Sequence, residues 1–204
     1  MNETWRKEDR PLANSEFTKN LIAGSTKELI RETTIDKITV VKICEKAGIS
    51  RRNFYRYFND KYDVVNYIYY HDHLIKWVYH DNWTIWDYFP EICRELYSDR
   101  KFYANAFKDN AFRNYCYQKL YPLIYEDFEE TFDNEETAKF YIRHICDLCF
   151  DYFIIWLSRE SCTPPDEFAR WVRHMVTVHS QKQYELASRP SRSETEGYYG
   201  PGVK

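Results

Sequence analysis

The sequence predicts an all-α protein, and three observations support this class. Glycine and proline are scarce, with 5 and 7 copies in 204 residues, too few for the many tight turns of a sandwich or barrel. Apolar residues recur at helical spacing along most of the chain, whereas β-branched runs that alternate with polar residues are almost absent. Aromatic residues make up 19% of the sequence, which indicates a bulky core in a chain long enough to bury one.

Composition also limits the class of protein. No apolar run reaches the length of a membrane span, and the amino terminus lacks the apolar segment of a secretory signal. The six cysteines are scattered through predicted helices, so we expect free thiols in a reducing cytoplasm. Residues 1–61 carry 13 basic and 9 acidic side chains, and the remainder carries 16 and 23. This split favours a basic face for a polyanion, although a solvated basic surface would produce it too.

Periodicity and composition divide the chain into four regions. Residues 1–14 are predicted to be a flexible segment, 15–60 a three-helix unit, 61–187 a helical body and 188–204 a disordered, Gly/Pro-rich tail. The predicted helices, one of which could bend at Pro122, cover residues 15–33, 39–47, 51–58, 60–80, 85–98, 100–108, 111–131, 135–159 and 163–187.

The stretch Ile38–Tyr62 has the pattern of a helix-turn-helix. Thr39 can cap the first helix, Gly48 can end it in the left-handed conformation, and Ser50 can cap the next helix. No acidic residue occurs in that second helix, which carries Arg51, Arg52, Asn53, Tyr55, Arg56 and Tyr57. A helix, a glycine turn and a capped basic helix are the layout of a DNA-binding helix-turn-helix.

The same stretch resembles the TetR family of bacterial one-component regulators. The family pattern is roughly T-x-x-x-I-A-x-x-A-G-V-S-x-x-x-F-Y-x-H-F-x-x-K, which here reads TVVKICEKAGISRRNFYRYFNDK. The resemblance covers about residues 15–65, and the segment KFYANAFKDNAF weakly resembles the body of regulators near dihydroxyacetone kinase operons. The chain departs from the pattern at Cys44, at Tyr57 and at Arg52-Asn53, and the last departure changes the surface that would read bases.

This resemblance implies a function and its partners. The expected partner is double-stranded DNA with a palindromic operator, bound by a homodimer formed through helices of about 135–159 and 165–187. An effector cavity among the middle helices would shift the fourth helix, so the favoured mode is a repressor released by an unknown small-molecule effector. One alternative is a co-activator or protein-interaction regulator whose signal is a partner protein. Another is a structural or ligand-carrying helical protein, which would have no reason to keep the basic turn.

Chemistry and resemblance together assign DNA contacts. Hydroxyl, phenol and ammonium groups donate to phosphate oxygens, and this predicts backbone contacts from Thr39, Ser50, Tyr55, Tyr57 and Lys61. The first turn of the second helix would read bases, since arginine fits guanine and asparagine fits adenine, and it contains Arg51, Arg52 and Asn53. Arg56 is assigned to a phosphate or structural contact. For each residue taken alone, an ordinary solvated side chain is the alternative.

An effector pocket is predicted from the density of aromatic residues between positions 77 and 125. The candidate lining residues are Trp77, Trp86, Tyr103, Phe107, Phe112 and Tyr115. Packing in the core is the alternative for each of them.

Other patterns favour no catalytic, metal or cofactor site. Cys146-x-x-Cys149 has metal-ligand spacing, but structural zinc needs four ligands and no second such pair exists, so core thiols are expected. Asp147 and Asp151 could form an acid/base pair, but Arg143 precedes Asp147 by four residues and predicts an ion pair on the helix face. No phosphate loop, nucleophile elbow or zincin motif is present.

Overall fold

The computed structural model describes residues 10–74, 84–128 and 134–187, in which all regular elements are helices and no strand occurs. The predicted all-α class is therefore confirmed. The α-helices are α1 (Arg10–Glu32), α2 (Val40–Ala47), α3 (Arg51–Phe54), α4 (Lys61–Tyr69), α5 (Ile85–Ser98), α6 (Arg100–Ala106), α7 (Asn110–Phe128), α8 (Glu135–Leu157) and α9 (Pro165–Ala187). A 3-10 turn (Ile35–Lys37) precedes α2, and a π-helical turn (Tyr70–Leu74) extends α4.

Two helices at the amino-terminal end differ from their predicted bounds. α1 begins at Arg10 rather than at residue 15, and Pro11 is compatible with its first turn because the first amides of a helix need no partner within it. α3 ends at Phe54 instead of residue 58. Its helix gives way to a tighter turn, in which the Arg56 and Tyr57 amides bond three residues back, to Asn53 O and Phe54 O.

Other predicted bounds fall at the edges of the described residues. The fourth helix was expected to reach residue 80, but α4 changes at Tyr70 to the π-helical turn, and residues 75–83 lie outside the description. α7 continues without interruption through Pro122. The described residues also exclude 1–9, 129–133 and the predicted tail 188–204. No helix in the described part of the chain combines the length and apolar composition needed to cross a membrane.

The turn between α2 and α3 is fixed by caps that the sequence predicts. The Thr39 hydroxyl accepts the Lys42 amide at 3.3 Å, and Ser50 Oγ accepts the Asn53 amide at 3.1 Å. Gly48 ends α2 with φ +64°, in the left-handed region that favours glycine. All three predicted capping roles are confirmed.

A shared core joins the first four helices. Ile22 of α1, Ile43 of α2, Phe54 of α3 and Val64 of α4 are all fully buried in one apolar cluster. Full burial of a ring such as that of Phe54 contributes about 1.5–3 kcal/mol. α3 is thus held by its buried side, which leaves its other side facing solvent.

The body is built around α8, which packs against α6 and α7, while α9 packs against α5. Aromatic rings fill its centre: Phe107 stacks on Phe150 and Phe153 at 5.3 and 5.7 Å, and Trp156 stacks on Phe168 at 4.0 Å. α1 packs against α2 and α4 on one side and against α6 on the other. The first helix is therefore common to the helix-turn-helix and the body.

Gly48→Ala should lower the free energy of unfolding by about 1–2 kcal/mol, because an added Cβ is strained in the left-handed conformation. Gly24→Ala in α1 is the matched control and should raise it by about 0.5–1 kcal/mol, through helix propensity. A Cβ at either position would meet no atom within 4 Å, so backbone conformation alone separates the two variants. Denaturant unfolding of both measures this difference, and equal effects would contradict it.

Candidate nucleic-acid interface

The solvent side of α3 and the turn after it forms a basic surface. Arg51, Arg52, Tyr55 and Arg56 are exposed, at spacings that place them on one face of the helix. No acidic side chain interrupts the sequence of this surface, and the fully buried ring of Phe54 lies on the opposite side. The structure therefore brings four of the predicted contact residues together.

The remaining predicted contacts border this surface. Thr39 and Ser50 are exposed, and each hydroxyl accepts one amide hydrogen, which leaves its own hydrogen available to a phosphate oxygen. Asn53 is half-buried. Tyr57 is also half-buried and packs against the core, whereas half of Tyr55 is exposed and its ring meets Phe54 edge-on at 5.4 Å.

Lys61 has a different role from the predicted one. Its ammonium donates to three backbone carbonyls: Ile35 O at 2.7 Å, Ile38 O at 3.0 Å and Asp36 O at 3.1 Å. An ammonium has three hydrogens, so none is left for a phosphate oxygen. The side chain links the start of α4 to the 3-10 turn before α2. The acceptors are backbone atoms 23 to 26 residues away, so a pattern of side chains in the sequence could not predict these bonds.

A cavity of about 80 Å³ lies in the body. Its wall includes Tyr69 of α4, Trp86 of α5, Leu120 of α7, Val176 of α9 and a broad face of α8. That face repeats at helical spacing, from Tyr141 and Ile142 through Ile145, Cys146, Cys149 and Phe150 to Phe153. The prediction, made from aromatic density at residues 77–125, did not include this face, although the widely apolar composition of the helix is a signal that could have indicated it.

Only some of the residues predicted to form the pocket line this cavity. Trp86 and Phe107 line the cavity, and Trp77 lies outside the described residues. Three others are not part of the wall of this cavity: Tyr103, Phe112 and Tyr115. Aromatic density marked the core as a whole, because ring size alone does not distinguish a filled position from the wall of a cavity.

Cys146 and Cys149 belong to the cavity wall and are free thiols, like the other four cysteines. Burial raises the pKa of each to about 12, so both stay protonated and uncharged at neutral pH. Within the described ranges, no three His, Cys, Asp or Glu side chains converge as a metal site requires. The predicted ion pair between Arg143 and Asp147 is confirmed at 2.9 Å.

A polar cluster ties α1 to the body, and we call its five residues the α1 clasp. Lys27 Nζ lies 2.7 Å from Asp72 Oδ2 in the π-helical turn, and the hydroxyl of Tyr103 donates to the same oxygen at 2.6 Å. Arg31 binds Asp99 through two parallel hydrogen bonds of 2.7 and 2.8 Å. Burial and the Asp72 charge raise the pKa of Tyr103 well above its usual value, so its hydroxyl remains a donor.

The α1 clasp joins elements that are far apart in sequence. Its ion pairs connect residues 45 and 68 positions apart, which explains why sequence patterns did not reveal it. A further bond supports the same junction, since the side-chain amide of Asn105 donates to Ile30 O at 2.8 Å. The π-helical turn after α4, the carboxyl-terminal end of α1 and α6 with its preceding Asp99 are thereby held together.

Two family models match the chain. Residues 22–68 match the model described as bacterial regulatory proteins of the tetR family, and residues 81–178 match a transcriptional regulator C-terminal region. No curated protein matches the sequence.

Three solved structures with a similar fold have titles that name a regulator or an operon activator. A TetR transcriptional regulator from Streptococcus agalactiae 2603V is 18% identical, with a TM-score of 0.60 over 80% of this chain and 96% of that one. The fatty acid degradation regulator FadR from Bacillus halodurans is 16% identical, with a TM-score of 0.53 over 78% and 93%. The dihydroxyacetone kinase operon activator DhaS is 19% identical, with a TM-score of 0.51 over 79% and 95%. At these identities the likeness shows the fold.

Lys61→Met should lower the free energy of unfolding by about 1–3 kcal/mol, because it removes charge-assisted hydrogen bonds to three carbonyls. Lys42→Met, at an exposed position of α2, removes the same charge and should change stability by less than about 0.5 kcal/mol. Denaturant unfolding compares the two. A Lys61 variant as stable as the Lys42 variant would contradict the structural role.

Proposed function

The chain belongs to the TetR family of DNA-binding transcriptional regulators, which are transcription factors and not enzymes, and on this premise we propose that it is a cytoplasmic repressor. In this proposal a homodimer occupies a palindromic operator, and a small-molecule effector releases it. The observation that carries the proposal is the exposed, acid-free basic surface of α3 on a unit whose opposite side is fully buried.

DNA binding in this proposal divides into reading and positioning. Arg51, Arg52 and Asn53 stand at the start of α3 and enter the major groove, where guanidinium and amide groups match the acceptors and donors of guanine and adenine. Phosphate oxygens of the backbone are bound by the side chains around this turn, Thr39, Ser50, Tyr55, Arg56 and Tyr57. Basic side chains that release counterions make this binding sensitive to salt.

A second copy of the chain is the proposed dimer partner. Trp171, Met175 and Val178 of α9 are 53%, 51% and 45% exposed, at spacings of four and three that place them on one face. On α8, Phe140 and Ile155 are 79% and 55% exposed. Exposed apolar residues in this number are typical of an interaction surface. A two-fold interface between these helices presents two α3 helices to one palindrome.

The cavity and the α1 clasp provide a route for release. Tyr69 lines the cavity at the last position of α4, and Asp72 joins the α1 clasp three residues later. A ligand that displaces Tyr69 therefore acts on the element that Lys27 of α1 holds. Movement of α1 in both subunits changes the distance between the two α3 helices, which favours the conformation with lower operator affinity. A buried cavity favours a small molecule over the alternative of a partner protein, which needs no internal space.

Arg52→Ala should weaken binding to the operator by about 1–3 kcal/mol and relax its sequence preference. The control is Arg170→Ala, which removes the same group from an exposed position on α9 and should leave affinity unchanged. Fluorescence anisotropy with a duplex selected from random sequences measures both. If the two variants bind alike, the assignment of base reading to α3 is wrong.

Met175→Glu should dissociate the homodimer, raising its dissociation constant by at least roughly tenfold, because the interface would bury an unpaired charge. Thr177→Glu adds the same charge to an exposed position of α9 away from the apolar face and should leave the dimer intact. Sedimentation equilibrium gives the mass of each. Dimers of equal stability would contradict the proposed interface.

Asp72→Asn should accelerate amide exchange in α1 and the π-helical turn by roughly fivefold. The substitution removes the charge that pairs with Lys27, and the lost ion pair lowers the free energy of local opening by about 1 kcal/mol. Asp151→Asn is the control, because Asp151 pairs with Arg113 and has no link to α1. Hydrogen exchange of both variants tests the connection. Unchanged exchange in α1 would show that Asp72 does not hold it.

A further inference from the structure

We propose that the cavity between α4, α5, α7, α8 and α9 binds an uncharged, mainly apolar molecule no larger than about a single aromatic ring. This inference rests on the proposed function, because it names the chemical class of the effector. It goes beyond that function in stating what the site accepts and what it rejects.

The chemistry of the wall defines the class of ligand. Ile85, Trp86, Phe107, Ile145 and Val176 are among the aliphatic and aromatic residues that line the cavity. None of the lining residues in the described ranges is Asp, Glu, Lys, Arg or His. An ion entering this space would lose its hydration and find no countercharge, which strongly disfavours charged ligands.

The two tyrosine hydroxyls of the wall have partners within the protein. The hydroxyl of Tyr141 lies 3.5 Å from Ser180 Oγ, and the hydroxyl of Tyr69 is hydrogen-bonded with Cys116. Cys146 and Cys149 remain protonated at neutral pH, since burial raises the pKa of each to about 12. They offer neither an anion to a cation nor a thiolate to a soft metal or electrophile. Shape and apolar contact are therefore the main basis of recognition.

The size of the cavity sets the size of the ligand. One water occupies roughly 10–15 Å³ by the same measure, so about 80 Å³ holds roughly five to eight atoms larger than hydrogen. Half-buried residues on the wall, such as Trp86, Leu120 and Tyr141, indicate the side from which a ligand enters. Tyr69 and Phe107 are buried and close the inner end next to α4.

Matched probes test the ligand class on the full-length protein. Toluene, benzoate and benzylammonium share one ring and differ in charge. Calorimetric titration should give saturable binding of toluene, at least roughly tenfold tighter than either ion, and toluene alone should raise the thermal unfolding midpoint. Binding of benzoate or benzylammonium as tight as that of toluene would overturn the proposal, as would the absence of toluene binding.

Cys149→Leu locates the site by filling part of the cavity. Its toluene affinity should fall at least roughly tenfold, whereas Cys162→Leu, a change at a half-buried cysteine outside the wall, should bind toluene like the parent. Thermal unfolding without ligand verifies that each variant is folded, and Cys146→Leu replaces Cys149→Leu if that one is not. Unchanged toluene affinity in a folded cavity variant would overturn the site.

Operator binding in the same samples separates the two proposals. Release of the operator by benzoate and not by toluene would overturn the ligand class while supporting effector control. In another outcome, the parent protein binds toluene, the cavity variant does not, and toluene leaves operator affinity unchanged. This result would support the ligand class and contradict effector release.

Discussion

The ring of Phe54 is fully buried in the core that α1, α2 and α4 share, and the basic surface of α3 depends on that burial. α3 has four residues, and a helix this short is not stable by itself. Its position is set by the buried ring of Phe54, by the left-handed conformation of Gly48 before it and by the cap at Ser50. The ammonium of Lys61 completes the frame from the start of α4. With these constraints in place, the basic residues have only the solvent side left to occupy.

α1 extends this frame to the rest of the molecule. It packs on α2 and α4 within the helix-turn-helix and on α6 within the body, and the α1 clasp adds ion pairs at that junction. The cavity borders Tyr69 at the end of α4, three residues before Asp72 of the α1 clasp. An unfilled volume of about 80 Å³ lowers stability by about 2 kcal/mol relative to a packed core. In the proposed mechanism, a ligand that fills the cavity recovers part of that energy and displaces Tyr69 at the end of α4.

Local signals in the sequence predicted the helix-turn-helix well. Thr39, Gly48 and Ser50 act through their own backbone conformation and neighbouring amides, so their roles are visible in a short stretch of residues. The role of Lys61 and the α1 clasp could not be predicted in this way, because their partners are 23 to 68 residues away. The π-helical turn after Tyr69 leaves no mark in apolar periodicity. Aromatic density at residues 77–125 did not locate the cavity, whose wall includes a broad face of α8. Tyr103 and Phe112 are buried in the core instead, since residue type does not specify where packing is incomplete.

The most direct measurement of the central claim, that two α3 helices read one palindrome, is selection of bound sequences from random duplexes by the purified full-length chain at low salt. A two-fold dimer predicts enrichment of two inverted half-sites, separated by about one helical turn of DNA or a multiple of it. Recovery of the starting pool without enrichment would contradict the claim.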